Sequence, residues 1–417
     1  MGILPEKDGG TKEEIRRWQR AYEWESSLKN FWDETHPKTL WEYKRMIEER
    51  LEQETRIATG TNPWIRNSSR KDYRNGYRYR RILTLSGKAI IKIPRLRKNK
   101  NGNVSFSILG HRKRIAPPVE DLVQDVIIYG VSSRKVKKAL RKILGENAIS
   151  HTTVSKIFQK MDQEVTLFHL RPLEDKYLFL LLDGIYLIVK SPLKCRRRAV
   201  LVALGITPDL KKEIIDFRLA NQGESEMAWS EFLTNLYHRG LEGKSTRLLS
   251  ADGNKGLHNA CATVFAGIPR QLCWAHKMRN VINKVPKKLQ NLCKKGACEI
   301  YLAESKTLAL RAYRRWAKIW KAIAPKAAGC MEKDLEELLK FFDLDPKYWK
   351  KVRTTNAIER ELKEVRRRTR VMEIIPNNKS LDRILYAIFR DRNESRKQQK
   401  SVKKRKKKVG SQNEITH

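Results

Sequence analysis

The chain has 417 residues, 40% of them hydrophobic, and a formal net charge of +42. This length and apolar content allow several packed domains and exclude a broadly disordered protein. So large a positive charge predicts a polyanionic partner, which is either nucleic acid or an anionic membrane surface. The best apolar run, Tyr177 to Val189, is interrupted by Asp183 and is too short to span a bilayer, which favours nucleic acid over membrane.

The first part of the chain predicts two small modules. Residues 1–60 have the mixed charge and aromatic spacing of a helical module. Residues 61–112 predict a basic β-hairpin, because the β-prone runs Tyr77–Leu85 and Ala89–Ile93 flank a turn that contains glycine. The hairpin sequence is dense in arginine and lysine, as expected of a surface that meets a polyanion.

Residues 113–165 predict a helix-turn-helix DNA-binding module. Helices fit Val119–Tyr129, Ser133–Leu144 and His151–Asp162, with Ser150 as the cap of the third. A short turn followed by a helix with a polar start is typical of this motif. Its candidate DNA contacts are Thr152, Thr153 and Lys156. A three-helix core piece without a DNA role is the alternative, and the charge of the chain favours DNA binding.

From Tyr177 onward, the sequence predicts a mixed α/β sheet followed by helices. Strands fit Tyr177–Leu182, Ala199–Ile206, Glu213–Ala220, Arg247–Ala251 and Arg270–Trp274, with helices over Ser225–His238 and Leu257–Phe265. Residues 276–351 are predicted to be helical, with core anchors at Trp316, Trp320 and Trp349. Further helices fit Thr355–Arg370 and Leu381–Arg392, and residues 395–417 predict a disordered basic tail.

Two aspartates follow the same local pattern. Asp183 and Asp252 each close a predicted apolar strand, and a glycine follows each of them. Either one alone would be interpreted as a turn residue. Because strand ends in α/β sheets carry ligand groups, the repetition favours two neighbouring carboxylates that hold Mg²⁺.

The third candidate carboxylate, Glu359, lies on a late helix. One face of that helix carries residues at spacings of three and four, namely Asn356, Glu359, Lys363, Arg366 and Arg370. A carboxylate followed by basic residues suits a metal ion at one end and a DNA backbone along the rest. The alternative is a solvated helix with ion pairs, and the run Arg366-Arg367-Arg368 argues against it because it predicts repulsion rather than pairing.

Three carboxylates of this kind suit phosphodiester chemistry. Two metal ions roughly 3.5–4 Å apart activate the attacking oxygen and stabilise the leaving oxygen, and anionic oxygens hold them that close. Cys273 and His276 form half of a zinc site by spacing, but no convincing second pair follows. A structural contact is therefore the preferred interpretation of these two residues.

Five stretches together resemble the Mutator-type transposases, which include many bacterial insertion-sequence transposases. Three resemble that family's main blocks, namely LLLDGIYLIVK, LLSADGNKGLHNACATVFAGIPRQLCWAHKMRNV and RTTNAIERELKEVRRRTRVMEIIPN. Two resemble its N-terminal region, namely YRNGYRYRRILTLSGKAIIKIPRLR and GVSSRKVKKALRKIL…SHTTVSKIFQKMD. The resemblance extends from about Asp72 to Asn377.

The resemblance implies a ribonuclease-H-like catalytic domain over residues 170–275 and 352–394, with a helical insertion at 276–351. The family's Asp, Asp, Glu triad falls on Asp183, Asp252 and Glu359, and would bind two Mg²⁺ ions, or Mn²⁺, per active site. The family's Cys/His pair falls on Cys273 and His276. Two further glutamates lie close to the third position, Glu361 and Glu364.

The resemblance also implies the partners. The protein would bind the terminal inverted repeats of its own element and target DNA, free a 3′-OH by nicking, and join that hydroxyl to another strand. Backbone contacts are expected from Lys363, Arg366, Arg367 and Arg370, and a homodimer is expected because two DNA ends must meet. We expect a cytoplasmic, nucleoid-associated protein in a bacterial host, or a nuclear one in a eukaryote. A structure-selective nuclease and a non-catalytic DNA-binding protein are the alternatives.

Overall fold

The computed structural model describes residues 38–413, apart from 66–67, 69, 98–105, 110–112, 146–147, 191–194, 222 and 373–374. Most of the predicted N-terminal helical module, residues 1–37, therefore lies outside the described residues. The chain divides into two compact units. Unit 1 comprises Met1–Ile127 and Val131–Ile157, and unit 2 comprises Ile128–Gly130 and Phe158–His417.

Unit 1 contains the predicted hairpin. Its described part begins with helix α1, residues 38–59, followed by strands β1 (Arg74–Thr84) and β2 (Gly87–Leu96), which pair antiparallel. Strand side chains alternate between faces, so the buried isoleucines of the hairpin pack on one side with Leu51 of α1. Ile91 is fully buried there. This apolar face fixes the register, since a slip by one residue would turn it to solvent.

Three helices follow the hairpin close to their predicted positions: α2 (Pro117–Ile128), α3 (Ser133–Leu144) and α4 (His151–Gln159). The cap of α4 is the predicted one, because the Thr153 N–H donates to Ser150 Oγ at 3.1 Å. Ser132, the residue before α3, makes no such bond through its side chain. The third helix is also shorter than predicted, because the helix is interrupted at Lys160. The next helix, α5 (Met161–Leu170), begins directly after it.

Unit 2 is built on a five-stranded mixed sheet, as predicted for the fold class. Its strands are β3 (Phe179–Lys190), β4 (Cys195–Ile206), β5 (Lys212–Ala220), β6 (Leu248–Ala251) and β7 (Arg270–Leu272). They lie in the order β5-β4-β3-β6-β7, with β3, β4 and β5 antiparallel and with β6 and β7 parallel to β3. The sheet brings the carboxyl ends of β3 and β6 to the same side.

The prediction that Asp183 closes its strand is wrong. β3 continues from Asp183 to Lys190, and Asp183 itself is paired with Val202. The cause is the long partner strand β4, which supplies hydrogen bonds along the whole of β3. A sequence without visible pairing partners gave no sign of this extension.

Two helices cover one face of the sheet, α6 (Glu226–His238) and α7 (Lys255–Val264). Leu180 and Leu182 of β3 point to this face and share a buried cluster with Trp229 of α6. Side chains of odd-numbered β3 residues therefore point to the opposite face. Asp183 is one of these, which places its carboxylate on the side that faces away from α6 and α7.

The region after β7 is helical, as predicted for residues 276–351. Its helices are α8 (Trp274–Ile282), α9 (Gln290–Tyr301), α10 (Lys306–Ile323), α11 (Pro325–Lys333), α12 (Leu335–Leu338) and α13 (Pro346–Val352), with short 3-10 helices at Lys287–Leu289 and Lys340–Asp343. Trp316 and Trp320 are buried, whereas Trp349 is half-buried. The Trp349 indole donates to the Leu344 carbonyl at 2.8 Å, so it still anchors the local fold.

Two helices complete the chain, α14 (Asn356–Arg370) and α15 (Asn378–Asn413). The predicted disordered tail is wrong for residues 395–413, which continue α15. The buried start of that helix, including Leu385, anchors it, and lysine, arginine and glutamine favour its continuation. Among the described residues, no helix combines the length and apolarity needed to cross a membrane.

Candidate active site

The two aspartates lie at matching heights, Asp183 on β3 and Asp252 directly after β6. β3 and β6 are parallel, and their last described pair is Leu181 with Ser250. Asp183 and Asp252 each follow two residues after that pair. Parallel strands lie about 4.8 Å apart and side chains repeat every two residues, so this register points both carboxylates to the same face. β6 ends at Ala251, which leaves the edge of β3 open beside Asp183.

Asp183 is the most enclosed of the predicted acids, with 6% of its surface exposed. Burial raises its pKa to about 6, and the nearby charges of Asp252 and Glu359 act in the same direction. His276 and the Gly184 N–H, which donates to Asp183 Oδ1 at 2.8 Å, oppose the shift. The three predicted acids are therefore close enough to affect one another electrostatically.

Glu359 lies in the first turn of α14, the helix that packs against β3. Its Oε1 atom is buried and has no hydrogen-bond partner. His276 Nε2 is 3.5 Å from that oxygen, which is an ion-pair distance without hydrogen-bond geometry. A buried carboxylate oxygen left in this way is costly unless a ligand satisfies it.

Two other glutamates of α14 have structural partners. Glu361 is buried and forms ion pairs with Arg392 and Arg396 of α15. Glu364 accepts hydrogen bonds from Arg367 and Arg368, which lower its pKa to about 2 even though burial opposes the shift. These partners distinguish both residues from Glu359, which the sequence separated from them only by the helix face that it shares with Asn356.

The expectation that the arginine run of α14 is unpaired is wrong. Arg367 and Arg368 both bind Glu364, and Arg368 also binds Asp391 of α15 at 2.8 Å. The i,i+3 and i,i+4 spacing on a helix brings these side chains together. The other predicted DNA contacts on α14 are all exposed, namely Lys363, Arg366 and Arg370.

Cys273 and His276 connect the end of β7 to the start of α14. Cys273 Sγ accepts hydrogen bonds from the Thr355 backbone N–H at 3.2 Å and from its hydroxyl at 3.1 Å. His276 Nδ1 lies 3.4 Å from the same hydroxyl oxygen. Because Thr355 directly precedes α14, these contacts orient the turn that carries Glu359.

The electrostatics of this connection are strongly coupled. Hydrogen bonding to Cys273 raises the pKa of His276 to about 9, although burial opposes the shift. Burial also opposes ionisation of Cys273, but hydrogen bonds from His276 and Thr355 lower the pKa of its thiol. The potential ligand atoms of Cys273, His276 and Glu359 lie within 4.8 Å of one another, which is also a suitable spacing for a metal ion.

A fourth carboxylate, Glu224, was missed by the sequence analysis. It lies between β5 and α6. A Cβ atom added to Gly184 would be only 2.5 Å from the Glu224 carboxyl group, so the carboxyl group packs against the glycine. Asn254 Nδ2 is 3.5 Å from Glu224 Oε2. Burial and the charges of Asp252 and Asp183 raise the pKa of Glu224 to about 7. One sequence signal existed, since a glycine inside an apolar strand often marks a close approach by another group.

The predicted DNA contacts on α4 are at the start of that helix. Thr152 is exposed and Thr153 is half-buried, and the hydroxyl of each lies 2.8 Å from Ser150 Oγ. These hydroxyls therefore form part of the cap. Lys156 is exposed one turn later.

The donor set of the carboxylate site fits hard divalent cations. Asp183, Asp252, Glu359 and Glu224 offer only oxygen atoms, which Mg²⁺ and Mn²⁺ prefer. Among the described residues, only one basic side chain lies within ion-pair distance of any of these acids, and it is His276, beside Glu359. Burial is the main cause of the raised pKa values of Asp183 and Glu224, and the charges of neighbouring acids add to both shifts. Bound cations would offset this repulsion and would satisfy the buried oxygen of Glu359.

Comparison with known proteins identifies relatives over most of the chain. Residues 30–399 match the sequence profile described as "Transposase, Mutator family". The transposase for insertion sequence element ISRM5 of Rhizobium meliloti (strain 1021) is 30% identical over 345 residues, which are 83% of this chain and 85% of the relative. The transposase for IS406 of Burkholderia multivorans is 32% identical, with 82% and 87% covered.

A further relative and a solved structure extend the comparison. The transposase for IS256 in transposon Tn4001 of Staphylococcus aureus is 30% identical over 78% of this chain and 82% of its own. The Drosophila P element transposase strand transfer complex is 13% identical, with 72% of this chain and 81% of that chain covered. Its TM-score of 0.26 is too low to define the fold.

Proposed function

The chain belongs to the Mutator family of transposases, and we propose that it cuts and joins DNA strands at the site formed by Asp183, Asp252 and Glu359. One observation supports this proposal above the others. Asp183 on β3 and Asp252, directly after the parallel strand β6, occupy matching positions, and Glu359, which has a buried oxygen without a hydrogen bond, is close enough to help raise the pKa of Asp183. The buried carboxylates Asp216 and Glu361 of the same unit have basic partners instead.

These residues would hold two divalent cations. When bound, the cations activate the attacking oxygen and stabilise the leaving oxygen of a phosphodiester. Asp183 is close enough to both Asp252 and Glu359 for their charges to raise its pKa. It would contact both ions, while Asp252 and Glu359 would each hold one. Glu224 would join them as a fourth carboxylate. No side-chain nucleophile is required, because water or a DNA 3′-OH attacks.

Residues around the carboxylates would position Glu359 and the DNA. The Cys273–Thr355 contact holds the start of α14, so it acts on Glu359 as a positioning contact. Lys363, Arg366 and Arg370 are exposed along the same helix and would contact the DNA backbone. Arg367 is also exposed, but it would have to share its charge between DNA and Glu364.

We further propose that α2, α3 and α4 form a helix-turn-helix that binds the terminal inverted repeats, with Thr152, Thr153 and Lys156 at its DNA-facing start. Unit 2 would then contain the ribonuclease-H-like catalytic domain, residues 170–275 and 352–394, with the helical insertion at 276–351. Two element ends must meet during transposition, so a homodimer is expected. Light scattering of the protein with and without end DNA measures this, and a monomer in both states would contradict it.

Strand transfer by the purified chain tests the catalytic proposal. The protein is incubated with labelled DNA that carries the ends of its element, a plasmid target and Mg²⁺, with and without a chelator. Joined products that disappear with the chelator are expected. Hydrolysis without joining would indicate a nuclease, and a mobility shift without cleavage would reduce the protein to a DNA binder. Asp252→Asn is the matched inactive control.

A further inference from the structure

A basic cavity of about 620 Å³ lies beside the first turn of α14. Its walls come from α8, α9, α13, the start of α14 and the start of β5. Besides Arg353, six lysine and arginine side chains line it, namely Lys212, Arg279, Lys294, Lys350, Lys351 and Arg360. No aspartate or glutamate occurs among the described residues that line it. The volume is in the usual range of ligand pockets.

The positive charge of this basic cavity is not neutralised by ion pairs. Within the described part of the chain, none of the six side chains forms a salt bridge with a carboxylate. At Lys212, burial lowers the pKa most, the charges of Lys351, Arg360 and Arg396 act in the same direction, and Glu361 opposes the shift. A seventh cation, Arg353, donates to the Tyr301 carbonyl at 2.9 Å. Clustered charge of one sign in a concave site attracts a ligand of opposite charge.

The start of α14 adds a second feature that favours anions. Asn356 and Ala357, the first two residues of this 15-residue helix, line the basic cavity. The residue before them, Thr355, makes no side-chain cap, because its hydroxyl donates to Cys273 instead. The first backbone N–H groups of a helix point outward and carry partial positive charge. Uncapped amides at a helix start form an anion site together with nearby lysines and arginines.

We propose that the basic cavity binds consecutive phosphates of a nucleotide ligand, next to the carboxylate site. The inference rests on the proposed function, because Ala357 and Arg360 flank Glu359 on the same helix. Were the scissile phosphate of a DNA strand held at the carboxylates, the basic cavity would take the phosphates next to it. A free nucleoside triphosphate carries the same chemistry, so the phosphates have two potential sources.

Binding measurements on an uncleaving protein test this proposal. The background is Asp252→Asn, the ligands are a fluorescent single-stranded oligonucleotide and a fluorescent ATP analogue, and the salt concentration is varied. The test variant is Lys350→Ala with Lys351→Ala. The matched control is Arg311→Ala with Lys318→Ala, which removes the same charge from the exposed surface of α10. Thermal unfolding checks that both variants are folded.

The expected result is a selective loss in the test variant. The plot of log K against log salt has a negative slope. Each lost phosphate contact makes that slope less steep by about 0.7 for single strands, so two make it less steep by about 1.4. Loss with the oligonucleotide alone assigns the phosphates to a DNA strand, and loss with the ATP analogue assigns them to a free nucleotide. The proposal is overturned if test and control variants bind both ligands alike.

A second variant protects against a folding defect. Arg360 is exposed, and Arg360→Gln keeps a side chain that suits a helix. This variant should make the same slope less steep by about 0.7. An unchanged slope in this variant, together with unchanged binding in the double variant, would leave the basic cavity without a phosphate role. Failure of the proposed function is a separate outcome, because it appears as absent cleavage by the unmodified chain.

Discussion

Carboxylates in two regions of unit 2 have opposite surroundings. Beneath α15, each buried acid has basic partners: Glu361 has two arginines, and Asp216 has Arg239 and His169. At the end of β6, four acids share one histidine, and the pKa values of Asp183 and Glu224 are raised. The first region stabilises the fold by charge compensation. The second tolerates repulsion, which is expected where cations are to bind.

The largest effect that would separate the two regions is expected from Asp252→Asn. The amide keeps the shape but removes a metal-binding charge, so cleavage should fall by at least about 10³-fold, or about 4 kcal/mol in transition-state stabilisation. Binding to end DNA should stay within about tenfold. Single-turnover cleavage and gel shift measure the two quantities.

Asp209→Asn is the control for this prediction, because Asp209 is an exposed acid that pairs with Lys211 in a turn. It should cleave at the normal rate. Surviving cleavage in Asp252→Asn would mean that the metal site has been assigned to the wrong residues.

Glu224→Gln tests whether the fourth carboxylate belongs to the site. Losing its charge should reduce metal affinity and cleavage by about 10–100-fold, the range seen for groups that tune a metal site. The variant should be at least as stable as the parent, because like-charge repulsion is relieved. Calorimetric Mn²⁺ titration and thermal unfolding are the measurements.

Gly184→Ala provides an independent check on Glu224. A methyl group there would meet the Glu224 carboxyl at 2.5 Å and displace it. It should therefore reproduce the metal-affinity loss without changing any charge. Normal Mn²⁺ affinity in both variants would remove Glu224 from the site.

Glu361→Gln should show the opposite pattern from Glu359→Gln, two residues away on α14. Glu361 is buried and binds Arg392 at 2.9 Å, and it also pairs with Arg396. Removing its charge should cost about 2 kcal/mol of unfolding free energy, because both arginines lose their partner. Glu359→Gln should leave stability unchanged and abolish cleavage.

Urea unfolding and cleavage assays on the two variants measure this contrast. Were Glu361→Gln stable and inactive while Glu359→Gln remained active, the third ligand would be Glu361. A carboxylate with arginine partners would then bind the metal, which contradicts the distinction between the two regions.

The smallest effect concerns pH. Hydrogen bonds to Asp216, at 2.8 Å, and to Asp382 raise the pKa of His169 to about 9, although burial opposes the shift. Because the folded pKa lies above the ordinary value, the stabilisation is full below about pH 6.5 and is lost as pH rises towards 9. We expect about 1 kcal/mol, reduced by solvent screening, since His169 is 27% exposed.

Chemical unfolding of the parent and His169→Gln between pH 6 and 9.5 measures it. The stability difference between the two should shrink as pH rises through this window. A difference that stays constant would show that His169 is not held as a cation by these aspartates.

Much of the secondary structure could be predicted from the sequence. Apolar periodicity and turn residues placed β4, β5 and α6 close to their observed bounds, because these signals are local. The extension of β3 beyond Asp183 could not be predicted, since it depends on pairing with a distant strand. The arginine pairs of α14 had a local signal, because Glu364 lies three and four residues before Arg367 and Arg368.

The candidate site was partly visible for the same reason. Asp183 and Asp252 follow apolar strands, and Glu359 shares a helix face with basic residues. Glu224 precedes a helix-capping serine and has the local sequence of an ordinary turn, so nothing local connects it to the others. Its place depends on the sheet register and on the missing side chain of Gly184.

Counting bound Mn²⁺ by electron paramagnetic resonance or calorimetry tests the central claim most directly. The parent chain should bind two ions at micromolar to millimolar concentrations, and Glu361→Gln should bind the same number. Asp183→Asn, Asp252→Asn and Glu359→Gln should each lose at least one while remaining folded. Full Mn²⁺ binding in those three variants would contradict the proposal that these distant acids form one metal site.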